Sequence, residues 1–277
     1  MISPKDIHTF KEKHRVMLHV KEFICVLPHP QLRQYLSNYN ITFPGKGLMS
    51  DNFTVIPCGC STIAIEQSSG NLTADLHGPT AKPYTVGDTA NQLDMMISIE
   101  FKPAGLFAIT GINQNELTDR TLPLGAVNPA LGKQLLDAAE KAESVCELVA
   151  ELDALLFANL CALHHPQLML LFRDIKKCAG NISVSQLSDS VHYSQRQLSR
   201  IFQQYVGLSA KSFSRMVRIN STFSLLKKSH NSLEFVSHAA GFYDLPHFIH
   251  DFKLVCGVSP GQYRERMSDF YSNPTRF

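Results

Sequence analysis

Two spacings of apolar residues divide the chain. From residue 40 to about 127 they come in short runs, Phe53-Thr-Val-Ile56, Thr62-Ile-Ala-Ile-Glu66 and Met95-Met-Ile-Ser-Ile-Glu-Phe101, separated by Pro57, Gly70, Gly78, Pro83, Gly87 and Pro103. Runs of strand length between chain-breaking residues predict an antiparallel β-sandwich or barrel. From about 128 the spacing changes to three and four, through Leu135-Leu136, Val145, Leu148, Val149, Leu152, Leu155 and Leu156, which predicts helices. Such a stripe suits a helical connector, a seam between two copies over 133–160, or a face packed on the chain's own β domain. Periodicity does not say which surface buries it.

The last hundred residues repeat. A shift of 50 brings Gly207-Leu-Ser209 onto Gly257-Val-Ser259, Ser194 onto Asp244, Leu198 onto Phe248, Phe202 onto Phe252 and Phe213 onto Tyr263, which is a duplicated supersecondary unit. In the first copy Ser183-Val-Ser-Gln186 and Ser194-Gln-Arg-Gln197 both read as capping boxes, so two short helices start close together. The second carries Leu198, Ile201, Phe202 and Tyr205 on one face and Gln195, Arg196, Ser199, Arg200 and Gln203 elsewhere, with Gly207 to close it. That is a helix-turn-helix layout, whose second helix lies in a DNA major groove. The second copy starts at a predicted box, Asn231-Ser-Leu-Glu234, turns at Gly241-Phe242, and caps its next helix with Asp244. Between the copies, Lys211 to Lys228 reads as one helix of about 27 Å, close to the ~34 Å between successive major-groove faces. A stiff spacer of that length implies some bending of the DNA to meet both helices.

Charge sharpens this picture. Of 277 residues 44% are hydrophobic and 18% charged, which excludes collagen-like, coiled-coil and disordered chains, and the length favours two domains. The net charge of +2 divides unevenly: residues 181–267 hold ten Lys and Arg against five acids, whereas residues 1–180 hold 15 against 18. A basic module on a mildly acidic body suits contact with a polyanion, although a merely solvated basic face would look the same. No apolar run approaches the ~20 residues of a membrane span, the first residues hold no signal-like apolar core, and seven scattered cysteines do not form a secreted framework. A reducing, cytoplasmic location is expected.

These residues resemble the AraC/XylS family of bacterial transcription regulators. The resemblance rests on Ala240-Gly-Phe242, Phe248, Phe252-Lys253, Gly257-Val-Ser-Pro260 and Gln262-Tyr-Arg264 in the second unit, and on Leu198-Ser-Arg-Ile-Phe202 and Gly207-Leu-Ser209 in the first. Phe53 to Gly59, Phe101-Lys-Pro-Ala-Gly105 and Glu116 to Pro123 are similar to the β-rich companion domain of some members. The resemblance implies base reading by Gln195, Arg196, Ser199 and Arg200, activation through RNA polymerase, and an effector acting at the N-terminal domain. A guanidinium can donate two bonds to guanine O6 and N7, which fits Arg196 and Arg200; a solvated helix face is the alternative for each. The second recognition helix departs from the family, with Leu245, Pro246, His247, Ile249 and His250 where polar readers are common. His247 and His250 are candidates for phosphate or base contact, or for simple exposure. Lys211, Arg215, Lys227, Lys228, Lys253 and Arg264 are phosphate candidates, Arg218 and Arg264 alternatively braces in buried salt bridges, and Ser188 and Ser237 structural residues at the helix crossings.

Cys58-Gly-Cys60 invites a metal or redox reading, but two thiols one residue apart need further ligands, and only His77 lies between residues 51 and 130. Buried thiols are expected instead, with no metal and no cofactor. His164-His165-Pro166 reads as loop or helix-end chemistry. The expected fold is α+β and multi-domain: a β-sandwich or barrel (cupin-like) sensing domain over 1–127, a helical connector and candidate dimer seam over 128–180, an all-α DNA-binding domain with two helix-turn-helix units over 181–267, and a tail over 268–277. The expected function is a sequence-specific regulator of transcription, binding double-stranded DNA, without enzymatic activity. A cupin-type small-molecule-binding enzyme and a protein-interaction module with weak DNA specificity are the alternatives.

Overall fold

Strand-length apolar runs become a seven-stranded antiparallel sheet in the computed structural model, which describes residues 2–45, 49–161 and 165–271. The elements in chain order are β1 (Val16–Val20), β2 (Phe23–Val26), β3 (Leu36–Thr42), β4 (Thr54–Val55), β5 (Thr62–Ser68), β6 (Asn71–His77), β7 (Tyr84–Thr85), β8 (Met95–Phe101), α1 (Gly105–Thr110), β9 (Thr121–Pro123), α2 (Leu124–Val127), α3 (Pro129–Lys141), α4 (Val145–Ala158), α5 (Pro166–Lys177), α6 (Val184–Ser190), α7 (Gln195–Val206), α8 (Ala210–Leu226), α9 (Leu233–Ala239), α10 (Leu245–Cys256), α11 (Pro260–Glu265) and β10 (Phe270–Tyr271). The large sheet runs β1-β2-β3-β8-β5-β6-β9, and a second, small sheet runs β10-β4-β7.

Strand alternation gives the large sheet two unlike faces. Tyr39 and Ile41 of β3, Ile97 and Ile99 of β8, and Ile63 and Ile65 of β5 share one buried cluster with α3 and α4. Asn38, Asn40 and Glu100 belong to the opposite set of positions and are also buried, Glu100 lying opposite both Asn38 and Thr62. Asn40 donates to Glu100 at 3.0 Å, so this face is buried as a hydrogen-bonded polar layer rather than an apolar one.

The expectation of a connector over 128–180 is corrected by where its apolar residues go. Leu131 and Leu135 of α3, and Leu148, Val149, Leu152 and Leu156 of α4, lie in the core of the β-rich domain with no exposure. Asp153 of α4 fastens the helix further, accepting from Arg15 Nη2 at 2.6 Å and from the Tyr39 hydroxyl at 2.9 Å. The stripe is therefore covered within the chain, and a seam through it would require these helices to leave their own sheet. The next helix, α5, joins the other core through Leu168, Leu171 and Ile175. The tail also differs from expectation: Phe270 and Tyr271 form β10, parallel to Thr54 and Val55 of β4.

Candidate nucleic-acid interface

Local chemistry places the helices of the C-terminal domain. Ser183 and Ser194 each close a capping box, Ser194 Oγ accepting from Gln197 N at 3.2 Å while Gln197 Oε1 accepts from Ser194 N at 2.9 Å. Asp244 caps α10 by accepting from His247 N at 2.7 Å. The predicted box at Asn231 is displaced by one residue, because Ser232 is the cap of α9, accepting from Phe235 N at 3.1 Å. Asn231 instead donates to Leu225 O at 2.9 Å and satisfies the end of α8. Gly207 and Gly257 end α7 and α10 with φ of +79° and +76°, a left-handed conformation suited to glycine.

Each unit is tied across its turn by a buried serine: Ser188 Oγ donates to Tyr193 O, and Ser237 Oγ to Asp244 O at 3.1 Å. Below the helices runs one aromatic core, in which Phe202 meets Phe213 at 6.1 Å, and Phe252 meets Phe223 at 6.0 Å and Tyr263 at 5.6 Å.

On α7, Leu198, Ile201, Phe202 and Val206 are buried, which leaves Gln195, Arg196, Ser199 and Arg200 exposed along the opposite face. Gln203, one turn further on, is half-buried. Arg196 and Arg200 have no hydrogen-bond or ion-pair partner among the described residues, so an open, positively charged edge begins at the capped end of the helix. Lys211 and Lys253 are also exposed, as are Lys227 and Lys228.

The second recognition helix is arranged around a residue the sequence did not single out. Asp251 is buried, and its carboxylate lies 3.1 Å from Arg215 Nε, 3.0 Å from Arg218 Nη2, 3.6 Å from His247 Nε2 and 3.6 Å from His250 Nδ1. Arg218 also lies over the ring of Phe242, at 4.4 Å from its centroid. Burial draws its guanidinium below the ordinary value, and the Asp251 carboxylate opposes this. Arg218 is thus a brace, and Arg215, a phosphate candidate in the sequence, is paired within the fold. Arg264 makes no salt bridge among the described residues and donates instead to Asn231 O at 2.9 Å. The only hint of Asp251's role in sequence was an acid at a buried helical position, between Phe248 and Phe252.

The β-rich domain touches this domain at places that looked idle in sequence. Gly59, between Cys58 and Cys60, has φ of +68°, and a Cβ there would lie 2.7 Å from Met216, 3.1 Å from Leu208 and 3.2 Å from Phe213. Ile56, Ala81 and Ala104 join the C-terminal core. The Cys58-Gly-Cys60 turn is therefore a contact between domains, and among the described residues no group of three or more His, Cys, Asp or Glu could hold a metal. Burial pushes the thiol of Cys25 up to about 12, with Glu100 adding to the shift, and that of Cys256 well above its usual value. His165 lies 5.7 Å from the Tyr205 ring, and His164 is outside the described residues. Among the described residues no helix is long and apolar enough to cross a membrane.

Two capped, glycine-terminated helix pairs on one connecting helix define the class: a protein with a double helix-turn-helix domain. Residues 187–266 match the family model "Helix-turn-helix domain", and residues 25–123 match a domain of unknown function (DUF6597). An uncharacterized HTH-type transcriptional regulator of Haemophilus influenzae is 35% identical over 85 residues, 31% of this chain and 28% of that protein. The HTH-type transcriptional regulator MtrA of Neisseria gonorrhoeae is 34% identical over 96 residues, 35% of this chain and 32% of that one. The matched stretch thus spans about a third or less of these relatives' length. A Chromobacterium violaceum structure titled as a transcriptional regulator with an AraC-type DNA-binding domain aligns over 36% of this chain and 91% of that one, at 25% identity and a TM-score of 0.34. Residues 187–266 thus carry a helix-turn-helix domain similar to that of HTH-type transcriptional regulators.

Proposed function

We propose that the chain is a sequence-specific, DNA-binding regulator of transcription, led by α7 in the major groove. The reading is carried by one observation: Gln195, Arg196, Ser199 and Arg200 share an exposed helical face whose opposite side is locked into a core. A rigid helix with two unpaired guanidinium groups can present paired donors to guanine without first breaking an internal bond. Gln203 stands at the edge of this face, and Lys211 and Lys253 supply phosphate contacts. His247 and His250 contribute to phosphate contact and groove shape more than to base reading, because Asp251 draws both towards the protein.

Within this reading the protein acts in the cytoplasm without catalysing a reaction, and the names of its matched relatives favour a regulator over an enzyme. Activation through RNA polymerase and control by an effector at the β-rich domain complete the proposal, both resting on family resemblance. The test is selection of bound duplexes from a random pool by the full chain, repeated with Arg196→Ala. A motif that loses its preference at one or two base pairs supports the assignment of α7. An unchanged motif removes Arg196 from base reading, and no motif at all rejects sequence-specific binding.

A further inference from the structure

The internal repeat makes Gly207 and Gly257 equivalent, each at the turn that ends a recognition helix. Both turns lie against a single short loop of the β-rich domain, between β6 and β7. A Cβ on Gly207 would lie 2.6 Å from Pro79 and 2.7 Å from Thr118 Oγ1, and a Cβ on Gly257 would lie 3.0 Å from Pro83. Thr118 Oγ1 donates to Gly207 O at 2.8 Å, and the Phe107 ring lies 4.4 Å from that of Tyr205 near the end of α7. Gly59 packs on Leu208 and on Phe213 and Met216 of α8. The domain is held once more beyond the second unit, where Ile56 N donates to Tyr271 O at 2.9 Å, and Ser50 Oγ to Asp269 Oδ1 at 2.8 Å. There the Tyr271 hydroxyl donates to buried Glu100 at 2.8 Å and accepts from Asn40 at 3.0 Å.

We propose that the β-rich domain is a spacing element for DNA recognition: by holding the turn behind each recognition helix, the Pro79–Pro83 loop with Thr118 fixes their separation and restricts the chain to half-sites at one spacing. This inference rests on the DNA-binding reading above. Two units joined by α8 alone can bend about that helix. Attachment of both to one loop closes a triangle, and a closed triangle of packed contacts cannot flex without breaking one of them. The ordering is then complete before DNA arrives, which favours the matching site over its neighbours. Tyr271 acts as a positioning residue, since its bonds to Glu100, Asn40 and Ile56 keep the end of the second unit seated on the β-rich domain.

The experiment uses the full chain and a pool of duplexes in which the two half-sites selected by the wild type are separated by a series of spacings around one helical turn, about 10 base pairs. The wild type is expected to enrich one spacing. The double variant Thr118→Val, Pro83→Ser is expected to accept adjacent spacings as well, and to bind the preferred site about tenfold more weakly through lost preorganisation, while the enriched half-site sequence stays unchanged. Tyr271→Phe, which keeps the ring and removes only the hydroxyl, is expected to move spacing tolerance in the same direction by a smaller factor. Circular dichroism melting of each variant verifies the fold, and Tyr271→Phe carries the test if the double variant does not fold. Wild-type spacing selectivity in a folded double variant, or in Tyr271→Phe when that variant carries the test, overturns the inference and leaves the DNA-binding reading standing. Failure of the wild type to enrich any half-site overturns both.

Discussion

The two helix-turn-helix units share one plan and differ at a few positions that alter what each can do. Ser183 and Ser232 are 49 residues apart, whereas Ser194 and Asp244 are 50 apart, so the turn of the second unit is one residue longer. That turn carries Tyr243, the most exposed large hydrophobic side chain among the described residues at 89%. On the recognition helices, Arg196 corresponds to Pro246, Ser199 to Ile249 and Arg200 to His250, while buried Ile201 corresponds to buried Asp251. An apolar residue under the first helix leaves the arginines above it directed to solvent. An acid under the second collects the neighbouring cations. A buried charge thus decides what a surface presents, because opposite charges nearby are drawn to compensate it.

The largest effects should strike the shared plan equally. Phe202→Ala and Phe252→Ala each remove a fully buried ring from equivalent positions, and each should cost about 3–5 kcal/mol in urea unfolding. A difference of more than about 2 kcal/mol between them would show that the units are supported unequally. Next comes the position where they diverge. Asp251→Asn preserves shape but strips Arg215 and Arg218 of their counter-charge, for an expected loss of about 3 kcal/mol, measured by the same unfolding midpoint. Stability equal to wild type would show that the two arginines find water as readily as the carboxylate.

The third contrast concerns DNA. Arg196→Ala should weaken the selected site by about 1–3 kcal/mol in a binding titration, while His250→Ala should change it by less than about 1 kcal/mol, the scale of an exposed charge contact. Reversal of that order would make α10 the leading reader. The smallest effects belong to the caps: Ser194→Ala and Asp244→Ala should each lower thermal stability by about 1 kcal/mol.

Much of the C-terminal domain was legible because its signals are local. A hydroxyl followed three residues later by glutamine dictates a helix start wherever the chain is placed, and this held at Ser183 and Ser194. At Asn231 two adjacent residues could both cap, and the choice went to Ser232 because Asn231 was needed at the end of α8. The strand runs were legible for the same local reason. The fate of the α4 stripe was not, since Leu148, Leu152 and Leu156 would look the same against another copy as against the sheet that covers them. The role of Cys58-Gly-Cys60 as a domain contact was not legible, because the partners of its glycine, Leu208, Phe213 and Met216, lie some 150 residues away.

Local signals along the chain were enough for the capping boxes at Ser183 and Ser194, the duplication and the polar face of α7, since each depends on residues within one or two turns of one another. The gathering of Arg215, Arg218, His247 and His250 around Asp251, the packing of α3 and α4 on the sheet, and the loop that meets both Gly207 and Gly257 arise from the folded arrangement alone. Those outcomes depend on which distant surfaces exclude water from each other, and burial of that kind is a property of the assembled chain rather than of any segment within it.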